Sequence, residues 1–165
     1  MGEGKTELAL ALAEDAAARW GCNGILYAMP TQGTTDAMYR RCRRWAARSE
    51  PELRISLVHG KAMLNEEWRE ALESRSVADV YGVEDDYGMH EPVAEREWLL
   101  GRHRALLSFG VVCTVDHLLY AGTRTKFVML RHAGLAGKVV VMDEVHGCDC
   151  FMATFLHEVL RWLGE

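Results

Sequence analysis

The run Val139-Val140-Val141-Met142-Asp143-Glu144-Val145-His146 constrains the fold more than any other stretch of the chain. Its β-branched core is short enough to form a strand buried on both faces of a parallel sheet. Open α/β sheets bind their ligands outside the carboxyl ends of the strands, which places Asp143 and Glu144 at a site. Read alone, the same residues also describe a buried strand that ends in solvated acids.

The beginning of the chain adds weight to the site. Gly2-Glu3-Gly4-Lys5-Thr6 reads as the second half of a phosphate-binding loop, G-x-x-x-x-G-K-[ST]. In that motif backbone N–H groups and a lysine hold phosphates, and the hydroxyl reaches Mg²⁺. The motif's first glycine would fall before Met1. From Thr6 to Arg19 the chain is rich in Ala, Leu and Glu, with no Gly or Pro, so Gly4 opens a helix whose N-terminus can receive an anion. A Gly-Lys-Thr helix start followed later by an apolar strand ending in Asp-Glu favours a nucleotide site over either bland alternative.

Composition narrows the class further. The chain has 165 residues, 49% of them hydrophobic, enough to bury the core of one domain. No run approaches the ~18 apolar residues of a membrane span, and no signal segment opens the chain, so a cytoplasmic protein without membrane contact is expected. The five cysteines are odd in number and irregularly spaced, which argues against a disulfide framework and suits a reducing compartment. A formal net charge of -5 argues against a protein that merely coats nucleic acid. Positive charge is instead local, in Arg40-Arg41-Cys42-Arg43-Arg44 and from Arg124 to Lys138.

Periodicity predicts alternating strands and helices. Strands are expected at Ile25–Met29, Arg54–Gly60, Phe109–Cys113 and the Val139 run. Helices are expected over Asp36–Arg48, Asn65–Ser74, part of Glu95–Leu107, Leu118–Gly122, Thr125–His132 and Phe151–Leu163. The Arg40–Arg44 cluster is expected on a solvated helix face, contributing to stability or partner contact and leaving nucleotide affinity untouched. Residues 76–92 read as an acidic loop insertion. The strand ends carry Pro30-Thr31-Gln32, His59-Gly60, Thr114-Val115-Asp116 and Asp143-Glu144, and a parallel sheet would align all of them on one edge.

These residues carry a family resemblance. Gly2-Glu3-Gly4-Lys5-Thr6-Glu7 is similar to helicase motif I, Met29-Pro30-Thr31-Gln32 to motif Ia, Cys113-Thr114-Val115-Asp116 to motif Ib, and Asp143-Glu144-Val145-His146 to the DExH box. Together they resemble the first RecA-like domain of a superfamily 2 helicase. More narrowly, the Met-Pro-Thr-Gln stretch with Ala37-Met38-Tyr39-Arg40-Arg41, the stretch Thr114–Leu119, and the run from Leu130 to His146 resemble the CRISPR-associated helicase-nuclease of type I systems.

The resemblance implies a RecA-like P-loop NTPase domain, three-layer α/β with a mainly parallel sheet, spanning residues 1–165 from motif I to motif II and incomplete at both ends. It implies ATP and Mg²⁺ as cofactors and single-stranded DNA and the Cascade surveillance complex as partners. It also implies an HD nuclease domain and a second RecA-like domain elsewhere in a longer polypeptide. Carried over by position, Gly2, Glu3, Gly4, Lys5 and Thr6 hold nucleotide together with Asp143 and His146. Lys5 sits on the β and γ phosphates, and Thr6 and Asp143 hold Mg²⁺. Glu144 polarises the attacking water. Pro30, Thr31, Gln32, Thr114 and Asp116 line the DNA path.

Other readings remain at this level: a DExH helicase acting on RNA, a different phosphate-loop ATPase, or a noncatalytic nucleic-acid- or protein-binding module. A zinc site built from His146, Cys148, Cys150 and His157 is a further alternative, although its spacing matches no common zinc pattern.

Overall fold

The protein is seen here as a computed structural model, which describes residues 4–49, 53–73, 104–123, 125–145 and 149–164. Gly2, Glu3, His146, Cys148 and the acidic stretch 76–92 lie outside the described residues.

Helix α1, Lys5–Trp20, is bounded by glycines, Gly4 with φ 92 and Gly21 with φ 64, a backbone region open to glycine at little cost. It buries Thr6, Leu10 and Ala13, which repeat along one face. Strand β1, Gly24–Met29, follows. A Cβ at Gly24 would lie 2.2 Å from the Phe109 carbonyl oxygen, so the strand can begin there only with glycine.

Helix α2, Gln32–Ser49, starts four residues before the expected Asp36. The reason is a reciprocal cap. The Thr34 N–H donates to Thr31 Oγ1 at 3.3 Å, the Thr31 N–H donates to Thr34 Oγ1 at 3.3 Å, and the Thr35 hydroxyl donates to the Thr31 carbonyl at 2.6 Å. A Thr-x-x-Thr pair thus performs the work of a capping box.

Strand β2, Ile55–Val58, and a 3₁₀ turn at Ala62–Leu64 lead to α3, Glu66–Glu73. A second 3₁₀ turn at Arg104–Leu107, where part of a helix was expected, precedes β3, Gly110–Thr114. Helix α4, Val115–Leu119, follows β3 without a gap, so Asp116 stands in a first helical turn. Then come a 3₁₀ turn at Tyr120–Gly122, α5 at Val128–Leu135, β4 at Lys138–Met142 and α6 at Cys150–Leu163. Asp149 caps α6 by accepting the Met152 N–H at 2.7 Å.

The four strands form one parallel sheet in the order β2-β3-β1-β4. One face packs Tyr27, Met29, Ile55, Leu57 and Val112 against α1, α2 and α3 through Leu10, Met38, Tyr39, Cys42 and Trp68. The other packs Leu26, Ala28, Val58, Val111 and Cys113 against α4, α5 and α6 through Leu118, Leu135 and Val159. The result is the expected three-layer α/β arrangement.

One expectation needs correction. Strand β4, read as buried on both faces, is only partly buried at all five positions. Among the described residues it has a strand neighbour on one edge alone, β1, and the other edge is open. Among the described residues no helix is long and apolar enough to cross a membrane.

Candidate functional site

Register fixes the working edge. Met29 lies opposite Thr114, Ala28 opposite Met142, and Val58 opposite Cys113, so the last residues of all four strands finish within a residue of one another. Pro30, His59, Val115 and Asp143, each the first residue after its strand or one step from it, therefore share the carboxyl end of the sheet.

At one side of that edge stand the phosphate-loop residues. Gly4 opens α1, its carbonyl accepting the Leu8 N–H at 2.9 Å. Lys5 is exposed at the first helical position, and Thr6 behind it is 5% exposed. Asp143 continues the β4–β1 ladder by donating its N–H to the Ala28 carbonyl at 3.1 Å. Its two carboxylate oxygens take separate donors. Oδ1 accepts the Glu144 N–H at 2.9 Å, and Oδ2 accepts the Tyr27 hydroxyl at 3.2 Å. Glu144 is exposed and adopts φ 55, a left-handed conformation rare for a non-glycine residue and frequent at functional turns.

Two side chains at this site were not anticipated. Tyr27 comes from the middle of β1, and burial, followed by the Asp143 charge, pushes its hydroxyl well above the ordinary tyrosine range. It stays a neutral donor to Asp143. Arg41, expected on a solvated face remote from the nucleotide, reaches from α2 and donates from Nη1 to Thr6 Oγ1 at 2.9 Å. Its charge weakly opposes the rise of the Tyr27 hydroxyl. Arg40 pairs with the Glu67 carboxylate at 3.3 Å, and Arg43 donates to the Glu67 carbonyl at 3.3 Å, joining α2 to α3.

Sequence signals for these two residues existed. A tyrosine buried in a strand requires a partner for its hydroxyl, and Arg41 lies three residues after the buried Met38 on α2. A long arginine stem lets the charged head travel along the helix surface to a polar target.

The other side of the edge holds the motif Ia and Ib residues. Pro30 is partly buried, and Thr31 and Gln32 are exposed. The Thr31 hydroxyl is engaged with Thr34 Oγ1 at 2.9 Å, so what this turn offers outward is mainly Gln32 and main chain. Thr114 is 5% exposed beneath α4, whereas Asp116 is exposed. His59 lies buried beside them. Its Nδ1 accepts the Lys61 N–H at 3.2 Å, which leaves Nε2–H to donate to Asp36 Oδ1 at 3.1 Å. Asn65 donates to the same Asp36 oxygen at 2.7 Å. An open groove of ≈ 510 Å³ lies here, lined by Gln32, Asp36, Arg40, His59 and Lys61 among others. A second cavity, ≈ 330 Å³, sits at the opposite, amino ends of the strands between α1 and α2, lined by apolar groups such as Leu10, Ile25, Trp45 and Phe109. Polar groups converge at the carboxyl ends, and apolar ones line the cavity at the amino ends.

Thr6 Oγ1 and the Asp143 carboxylate are hard oxygen donors of the type Mg²⁺ takes, and a guanidinium already stands on one of them, so the donor set fits such a cation. Among the described residues no cluster of three or more His, Cys, Asp and Glu could hold a metal through those side chains alone.

No protein-family model matches the chain. The chain is 36% identical over 168 residues to the CRISPR-associated nuclease/helicase Cas3 of Streptococcus thermophilus, a match covering 99% of this chain and 18% of that protein. It is 36% identical over 165 residues to the CRISPR-associated endonuclease/helicase Cas3 of Thermus thermophilus, covering 99% and 17%. Among solved structures, T. fusca Cas3 with ATP superposes with a TM-score of 0.77 at 38% identity, covering 99% of this chain and 16% of that one. A further T. fusca Cas3 crystal structure gives 0.76 at 37% identity, with the same coverage. The chain spans less than a fifth of the length of the relatives it matches.

Proposed function

We propose that this chain, a homologue of one segment of the Cas3 nuclease/helicases, is the ATP-binding half of an ATP-dependent DNA motor. In this reading residues 1–165 form the first RecA-like domain, running from motif I to motif II, with an acidic insertion near 76–92. The motor moves single-stranded DNA in type I CRISPR interference and works beside the Cascade complex, in the cytoplasm.

The observation that carries the reading is the shared edge. Thr6 at the start of α1 is held by Arg41 and Asp143 by Tyr27, at the same end of the sheet as Gln32 and Asp116. The relatives' names supply the activity, and one of the matched structures holds ATP.

Each residue has a task within this reading. Backbone N–H groups at the start of α1 and the Lys5 ammonium receive the phosphates. Thr6 and Asp143 hold Mg²⁺, which when bound neutralises phosphate charge. Glu144 orients the attacking water and takes charge of its proton. Pro30, Thr31, Gln32, Thr114 and Asp116 border the path of the DNA backbone, where contact through main chain and small polar groups needs no sequence preference.

Among the described residues β4 pairs along one edge alone, and Leu8 and Leu12 of α1 are 61% and 59% exposed, both of which suit contact with the remainder of the same polypeptide. The second RecA-like domain and an HD nuclease domain belong to that remainder.

The test is nucleotide titration of the intact protein and its Lys5→Ala variant. Loss of the Lys5 ammonium at the phosphates is expected to weaken ATP binding by about tenfold or more, the worth of a charge-assisted contact. Equal affinity in the two proteins would reject the motif I assignment.

A further inference from the structure

We propose that Arg41 is a positioning residue that holds Thr6 when Mg²⁺ is absent and competes with the metal for that hydroxyl. The inference rests on the nucleotide reading above and adds a control to it.

The geometry is specific. Thr6 is 5% exposed, one residue past the loop lysine, and its Oγ1 accepts from Arg41 Nη1 at 2.9 Å across 35 residues of sequence. The hydroxyl has two lone pairs and one hydrogen. Accepting from a guanidinium while coordinating Mg²⁺ would place a singly and a doubly positive centre on one oxygen atom, where they repel strongly. The two states therefore exclude each other. Either Arg41 stands on Thr6, or the metal does.

Asp143, the other proposed metal ligand, is held in parallel. Its Oδ2 accepts from Tyr27, a neutral donor that adds no positive charge, so this contact opposes a metal far less than Arg41 does. Among the described residues, the asymmetry assigns the competition to Arg41. Tyr27 instead fixes the carboxylate's direction, and the Glu144 N–H fixes its other oxygen.

The consequence is an elevated Mg²⁺ requirement in the wild-type protein. Arg41 is exposed, so its contact is screened by solvent and its effect is modest. Binding of a fluorescent ATP analogue is followed in the intact protein as Mg²⁺ is titrated. Arg41→Ala is expected to lower the half-saturating Mg²⁺ concentration by about two- to fivefold, the range of an exposed charged contact. Arg41→Gln, which keeps a donor and loses the charge, is expected to fall between the two. Arg44→Ala, on the same helix and outside this contact, is expected to match the wild type.

A purely structural role for Arg41 would change thermal stability and leave the Mg²⁺ midpoint in place. An unchanged midpoint in Arg41→Ala, or one shifted to higher Mg²⁺, overturns the proposal while the nucleotide reading stands. Failure of the wild type itself to bind the analogue at any Mg²⁺ concentration overturns the nucleotide reading, and the competition with it.

Discussion

Val111 of β3 and Val140 of β4 lie in register with the same residue, Leu26 of β1, one on each side of it. Both pack on the same face of the sheet, yet Val111 is 1% exposed and Val140 is only partly buried. The two strands are alike in sequence, Gly-Val-Val-Cys-Thr against Lys-Val-Val-Val-Met, each with three β-branched residues. The difference is an edge. Strand β3 sits between β2 and β1, whereas β4 has β1 and, among the described residues, no second neighbour. An apolar strand sequence states which environment the strand tolerates, and the sheet around it decides which environment it receives.

The ends of the two strands differ as well. Strand β3 passes directly into α4, burying Thr114 and turning Asp116 outward. Strand β4 stops in Asp143 and Glu144, the latter in a left-handed conformation at φ 55. The proposed division of labour follows, with the β3 end bordering nucleic acid and the β4 end carrying chemistry. Replacing Glu144 by Gln in the intact protein keeps the shape and removes the charge. ATP turnover is expected to fall by about 10² to 10⁴-fold, while nucleotide affinity is retained. Asp116→Asn at the β3 end is expected to leave ATP affinity unchanged. The decisive measurement is single-turnover hydrolysis beside nucleotide binding. Wild-type turnover in Glu144→Gln would return Asp143 and Glu144 to the reading of solvated acids at a strand end.

A smaller effect tests the edge itself. Val111→Ala removes buried methyl groups from a site closed on every side, at a cost of about 2 kcal/mol once the cavity is included. Val140→Ala takes the same atoms from a half-covered position facing the same Leu26, and about half that loss is expected. Urea denaturation of both variants gives the comparison. Equal losses would show that β4 is as well covered as β3, and that the described open edge is filled in the intact protein.

How much of this was legible in the sequence depends on the range of the signal. The four strands and most helices follow from local periodicity, and the glycines that bound α1 are required by its backbone. The common edge of the strand ends follows from parallel topology. The start of α2 was missed because Pro30-Thr31-Gln32 reads as the end of a strand, whereas the Thr31 and Thr34 hydroxyls close a helix cap. Arg41 was missed for a different reason. Helical spacing tells where a Cβ points, and an arginine head can end several ångströms from there, on a residue of another helix. Burial of β4 was overestimated because a strand sequence carries no information about how many neighbours it finds.

The smallest expected effect sets the same two strands against each other in their titration. On β4, burial pushes the Lys138 ammonium, which donates to the Leu106 carbonyl at 2.9 Å, down to about 8. On β3, burial pushes the Cys113 thiol up to about 12, with the Arg131 charge pulling the other way, and burial does the same to Cys42 on α2. Between pH 8 and the ordinary lysine value of 10.5, the unfolded chain binds more protons at Lys138 than the folded chain does, so this group makes stability rise with pH. Above 9.0, the ordinary thiol value, the unfolded chain releases protons that the folded chain keeps on both cysteines, so these groups make stability fall. Tyr27, also held above its ordinary value, adds to the fall above 10.0. Stability is therefore expected to climb slightly from pH 8 to 9 and to decline beyond it. Lys138→Met should abolish the climb and leave the decline, while Cys113→Ala should shrink the decline and leave the climb. Only slopes against pH are compared, because each substitution also shifts stability at every pH. Denaturation midpoints measured at pH 8, 9 and 10 give those slopes, and a climb that survives in Lys138→Met would mean that β4 leaves its lysine as hydrated as an unfolded chain does.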